Sequence, residues 1–281
     1  MMKRGELTSQ QLVTIIILII SFAVILILIF KLNLGQESDK EICHNSVVMN
    51  SKSKNPFISG ALDCKTNYVC ISGGGKCENF NPSNTIKIDI NQGKEKVKND
   101  IMKAVANEMS DCWWMFGEGK VDYVGFDLGN KITGNLACSL CSIIGFDEKI
   151  QNDEKLKEGI NYEQFYNYLE STEKENGKNY LSYLYGVQTF EKVEEMIQIN
   201  PQEQIDFKKQ YYVLTAIGNL GALKSTANWF ASGFDAFNNI WGLNKILGET
   251  TKFKGYGIIP VSIKEKSKIN DLECSEFLIK A

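Results

Sequence analysis

Residues 134–147 read "GNLACSLCSIIGFD", Gly134 to Asp147, and the architecture turns on what the C-x-x-C at their centre, Cys138 and Cys141, is for. A pair at this spacing serves as a redox switch, as half of a zinc site, or as part of a structural staple. A thioredoxin-like pair sits at a helix N-terminus, usually with Gly or Pro inside it. Here the inner residues are Ser139 and Leu140, and "SIIGFD" continues as strand-like sequence. A zinc ribbon needs a second C-x-x-C or C-x-x-H. The remaining spacing, Cys64-x5-Cys70-x6-Cys77, supplies neither, and the sole histidine, His44, stands beside Cys43. The favoured reading is structural disulfides, with Cys112 tied to either Cys138 or Cys141. No metal and no cofactor is expected.

Compartment supports that choice. From Leu12 to Phe30 the chain runs "LVTIIILIISFAVILILIF", without a charge and with only Thr14 and Ser21 polar. At 1.5 Å per residue this stretch reaches roughly 28 Å, close to the hydrocarbon thickness of a bilayer. It has no polar stripe, unlike a helix on a protein core. Phe30-Lys31-Leu32-Asn33-Leu34-Gly35 makes a poor cleavage site, so an uncleaved anchor is expected over 12–31. Lys3 and Arg4 before it weakly favour a cytoplasmic N-terminus of residues 1–11. All eight cysteines (Cys43, Cys64, Cys70, Cys77, Cys112, Cys138, Cys141 and Cys274) lie beyond the helix, which suits an oxidising exterior. The expected place is the plasma membrane, single-pass, with the C-terminal part extracytoplasmic.

Beyond the anchor, residues 32–42 are polar and read as a stalk. Residues 43–84 are Cys-, Asn- and Gly-rich, with too few large apolar residues for a core of their own. There "NYVCISGGGKCENF" reads as a strand, a Gly73-Gly74-Gly75 turn and a return. Residues 85–281 carry the main patterning. "TIKIDI" (85–90) alternates like a strand. Val97, Ile101, Val105, Met109, Cys112 and Phe116 form a helical stripe over 92–116, with Asn91 as candidate cap and Gly117 as stop. Lys94, Lys96, Lys98, Asp100, Lys103 and Glu108 fall mostly off it. Helical patterning returns at 147–158, at 161–170 behind a candidate Asn161 cap, and at 180–186. Residues 203–218 read as a long strand hairpinned with 256–263, where Pro260 points to an edge. The expected fold is α+β: a single N-terminal transmembrane helix, then a disulfide-stabilised ectodomain of helices and antiparallel sheet.

Chemistry is sparse. With one histidine, nucleophilic triads and histidine metal sites are nearly excluded. Net charge is −3 and Arg4 is the only arginine, so nucleic acid is not an expected partner. Glu118, Asp122, Asp127 and Asp147 are carboxylates that could converge, though solvated loops are their ordinary use. Trp113 and Trp114 point about 100° apart on a helix, so both cannot face one stripe. Trp229, Phe230 and Trp241 belong to an apolar, small-residue stretch, 219–248, suited to a packed helical hairpin or to contact with a membrane surface or partner. Trp113, Trp114, Trp229, Phe230 and Trp241 are the candidate interaction surface.

The N-terminus "MMKRGELTSQQLVTIIILII" resembles the class III signal of archaeal type IV pilin-like proteins. The match covers residues 1–30 only. In that family a peptidase cuts after the Gly of a basic-Gly site, which carries onto Lys3-Arg4-Gly5 and leaves Glu6 first. Gln10 stands where pilins usually carry Glu. The expected function is a membrane-anchored extracytoplasmic binding or structural surface module, with a protein partner or self-association and no catalytic constellation. The alternatives are a pilin-like subunit of a filament or secretion system, and an extracytoplasmic enzyme: an oxidoreductase at Cys138/Cys141 or a carboxylate-dependent hydrolase.

Overall fold

β3 (Leu136–Phe146) contains the C-x-x-C and lies in the middle of the main sheet. The computed structural model describes residues 9–31, 34–52, 62–78, 81–124, 136–175, 177–197, 203–219, 256–267, 274 and 276–278. Side chains alternate faces along a strand, so residues three apart point opposite ways. Cys138 and Cys141 therefore cannot bond one another from a regular strand. Cys141 instead joins Cys112, and Cys138 joins Cys274. A bulge between Leu140 and Ser142 places Cys141 as the extra residue. Such a bulge re-aims side chains locally.

In chain order the elements are α1 (Ser9–Lys31), α2 (Leu34–Lys52), β1 (Asn67–Ser72), β2 (Asn84–Lys87), α3 (Lys94–Met115), β3, α4 (Glu148–Asn152), β4 (Ile160–Asn161) and α5 (Tyr162–Ser171). They continue with β5 (Glu173–Glu175), β6 (Lys178–Asn179), α6 (Tyr180–Tyr185), α7 (Phe190–Ile197), β7 (Gln204–Ile205), β8 (Tyr211–Asn219), β9 (Tyr256–Glu265) and β10 (Glu276–Phe277). The main sheet runs β2-β1-β3-β8-β9, with β10 also on β3. The fold is α+β, as expected.

The sheet is mixed, which corrects the expectation of an antiparallel one. β3-β8-β9 is antiparallel, but β1 runs parallel to both β2 and β3, and β10 runs parallel to β3. The Gly73–Gly75 turn does not close a hairpin. Asp147 binds the Gly75 amide, and the chain then travels back to start β2 beside Tyr68, whose carbonyl accepts from the Ser83 amide at 2.8 Å. β8 and β9 pair as expected, and β9 is an edge. Pro260 sits opposite an irregularity between Leu214 and Ala216, where a missing N–H costs no ladder bond. The long strand read at 203–218 is interrupted: β7 pairs with β4, and a turn around Lys208 intervenes, pinned by the Asp206 carboxylate.

α3 packs on one face of the sheet. Its stripe from Val97 to Phe116 is buried throughout, and Val69, Ile71, Ala137, Ile144, Phe146, Val213 and Ile217 share its core. The opposite face carries Leu140, Ile143 and Leu214 with Tyr68, Tyr212 and Cys274. Gly93, not Asn91, precedes the helix, without a side-chain cap. Asn161 and Asn179 cap α5 and α6 through the Gln164 and Ser182 amides, each at 2.7 Å.

Two further differences concern the N-terminal half. The expected stalk is helical, because α2 begins at Leu34 and continues to Lys52. Little apolar periodicity marks it. Its order comes from docking: Cys43 is bonded to Cys64 and Val47 is fully buried. α1 is the one described helix long and apolar enough to cross a membrane. Gln10–Ile27 averages a mean hydropathy of 2.6, and none of it is buried. Gly5, Glu6, Asp127, Trp229, Phe230 and Trp241 lie outside the described residues.

Candidate functional site

α2 lies against α3, and the start of β1 closes the space beside them. Between these elements is a cleft of about 130 Å³. Asp39 and Lys40 come from α2, Lys65, Thr66 and Asn67 from the start of β1, Glu108 and Met115 from α3, and Cys141 from β3, with Ser83 at the side. The bulge at Cys141 brings this wall to α3, where the disulfide to Cys112 fixes it.

Glu108 is the distinctive group. Its side chain is 6% exposed, yet it is a carboxylate. A buried charge costs several kcal/mol unless it is well bonded. Lys40 Nζ is 3.8 Å from Oε1, and Asn67 Nδ2 is 3.5 Å from Oε2. Both exceed the ~2.7–2.9 Å of a charge-assisted hydrogen bond. Lys40 is committed to Asp111 at 2.5 Å, and Lys65 to Asp39 at 3.1 Å. The Ser142 hydroxyl, buried beside Glu108, acts with Asn67 to favour the charged form of the carboxyl. Burial pushes the Glu108 carboxyl above its ordinary value, Lys40 opposes this, and the Asp111 charge adds to it.

A second polar group docks α2 at the end of α3. The His44 ring stacks on Trp114, centroids 4.1 Å apart, and its Nδ1 donates to the Trp114 carbonyl at 2.7 Å. Nearby, Glu118 adopts φ +55°, which a non-glycine residue rarely does. It accepts from Tyr183 at 2.9 Å and pairs with Lys120. Burial acts to raise the Glu118 carboxyl, but these two hydrogen bonds outweigh it and hold it below the ordinary value. Burial and the adjoining Glu118 push the Tyr183 hydroxyl up.

The other sequence candidates fall elsewhere. All eight cysteines are paired: Cys43–Cys64, Cys70–Cys77, Cys112–Cys141 and Cys138–Cys274. No Cys138–Cys141 bond exists to be exchanged. Trp113 is buried in the core, while Trp114 is half-buried on His44. Asp147 caps α4, and Asp122 accepts from the Val124 amide. No group of three or more His, Cys, Asp or Glu side chains among the described residues could hold a metal. Sequence reading missed Glu108 as a site residue. It stands three residues after Val105 and four before Cys112, so it borders the apolar stripe, and that adjacency was the available signal.

Comparison with protein-family models, with curated proteins and with solved structures finds no match to this chain.

Proposed function

We propose that this chain is a single-pass, membrane-anchored extracytoplasmic binding module. α1 spans the bilayer, and the disulfide-stapled α+β body presents the Glu108 cleft outside the cytoplasm. The observation carrying this reading is the contrast between the two parts. α1 exposes its apolar side chains from Leu12 to Ile27, whereas the body closes its own core and pairs every cysteine. An apolar helix of that length left outside a core is stable in lipid, and paired cysteines persist in oxidising compartments.

Protease added to intact cells tests the topology. The body should be digested without permeabilisation, and the residual α1 fragment should stay in the membrane through carbonate extraction. Protection of the body, or release by carbonate, overturns the reading. A pilin-like subunit is the second reading, favoured by Lys3-Arg4-Gly5 ahead of an exposed apolar helix. N-terminal sequencing separates the two: a mature chain starting at Glu6 supports processing, and one starting at Met1 or Met2 removes it.

A further inference from the structure

We propose that the Glu108 cleft is a binding site for a small primary-ammonium compound, with Glu108 as its counter-ion. The proposal deepens the reading of the body as a binding module, but its test does not depend on membrane topology.

Lys40 is paired with Asp111, and Lys65 with Asp39. Glu108 is left as the surplus charge, buried in the wall of the cleft. Its Lys40 and Asn67 contacts, at 3.8 and 3.5 Å, are both longer than a charge-assisted hydrogen bond, and its further neighbour is the neutral Ser142 hydroxyl. An incoming cation with N–H donors would supply what is missing. An anion would meet two lysines outnumbered by the three carboxylates Asp39, Glu108 and Asp111.

Size and shape narrow the class. About 130 Å³ exceeds what one water needs and lies below the ~300 Å³ at which pockets for drug-sized molecules begin. Met115 and Cys141 give the cleft an apolar wall for a short aliphatic chain. A guanidinium binds best when both carboxylate oxygens face it side by side. Here Oε2 is turned to Asn67 and Oε1 towards Lys40, which suits a point-like ammonium.

The test uses the full chain in detergent micelles, titrated with n-butylammonium by calorimetry and by saturation-transfer NMR. n-Butanol and butyrate serve as neutral and anionic controls. Saturable butylammonium binding is expected, with both controls about tenfold weaker or more. Glu108→Gln should weaken butylammonium by about tenfold or more while leaving n-butanol unchanged. In the unmodified chain, affinity should fall as pH drops and Glu108 takes up a proton. The charged groups facing it are Lys40 from α2, Asp111 from α3, and Lys65 and Asp39 at the cleft mouth, with Asn67 and Ser142 as neutral neighbours. No saturable binding, equal binding of n-butanol, or unchanged affinity at low pH overturns the proposal. The last two readouts stand even if Glu108→Gln does not fold. A further titration with Nα-acetyl-lysine methylamide separates the sources. Tighter binding than butylammonium assigns the ammonium to a partner's lysine side chain, and weaker binding assigns it to a free amine.

Discussion

The carboxylate of Asp147 accepts the Gly75 amide proton at 2.5 Å, tying the end of β3 to the turn that follows β1. The same oxygen takes the Ser72 hydroxyl at 2.8 Å, and the other takes the Ile150 amide at 2.9 Å as the cap of α4. Asp147 is fully buried, so no water replaces it. Asp147→Ala removes a cap worth about 1 kcal/mol and strips the half-buried Gly75 amide of its acceptor at about 1–3 kcal/mol, while the Ser72 hydroxyl keeps the Gly75 carbonyl. A loss of about 2–4 kcal/mol is expected, read as a lower urea midpoint with unchanged slope. Asp147→Asn keeps an acceptor oxygen and should fall between the two. Gly75→Ala should also destabilise, because its Cβ would stand 2.8 Å from Asp147 Oδ2.

The disulfides should rank by the chain they enclose. Cys70–Cys77 spans 7 residues, Cys112–Cys141 spans 29 and Cys138–Cys274 spans 136. The chain-entropy model gives about 2.4, 3.6 and 5 kcal/mol respectively. Paired Cys→Ala replacements should therefore lower the denaturant midpoint least at Cys70/Cys77 and most at Cys138/Cys274. Mass spectrometry of the non-reduced digest should recover Cys112 linked to Cys141, and Cys138 linked to Cys274. A Cys138–Cys141 peptide would contradict the strand geometry.

α2 is held to α3 by contacts that can be removed singly. His44→Ala deletes the stack on Trp114 and the hydrogen bond to its carbonyl. Each contributes about 0.5–1.5 kcal/mol, so a loss of about 1–3 kcal/mol is expected. Because Trp113 is buried and Trp114 is half-buried, the change should appear as increased acrylamide quenching from Trp114. Trp114→Phe in the same background should abolish that increase.

Local signals were legible in the sequence, and the parallel pairings were not. The α3 stripe and the Asn161 cap depend on periodicity or on turn chemistry within a few residues, and β8 and β9 were matched as two long apolar runs although 36 residues separate them. The parallel neighbours of β1 lie 15 and 75 residues away, taking Val69 with Asn84 and with Ile144, and no local rule selects them. α2 has too little apolar content to announce itself, and tertiary docking orders it. Glu108 was legible only as a charge bordering the stripe. Periodicity identifies one apolar face, whereas α3 is covered on several, by the sheet, α2, α5 and α6. A helix in that position buries residues that the pattern assigns to water. Ser142 and Cys141 reach α3 together only because of the bulge, which the sequence "SLCSII" does not declare.

Glu108 should make stability fall with rising pH. Burial raises its folded-state value above the ordinary 4.5 or so of the unfolded chain. A group raised in this way contributes most when protonated, below the unfolded value, and its contribution is lost as pH rises through the folded value. The affected window therefore opens near pH 4.5 and lies above it. Glu108→Gln mimics the protonated carboxyl and has no charge to desolvate. Lys40 keeps Asp111 as its partner in that variant. The variant should match the unmodified chain near pH 4 and become relatively more stable as pH approaches 7. Urea midpoints measured at pH 4, 5, 6 and 7 check the sign. If Glu108→Gln is instead the less stable protein at pH 7, the Lys40 contact outweighs the desolvation of Glu108, and the carboxylate is a satisfied structural charge with nothing left to offer a ligand.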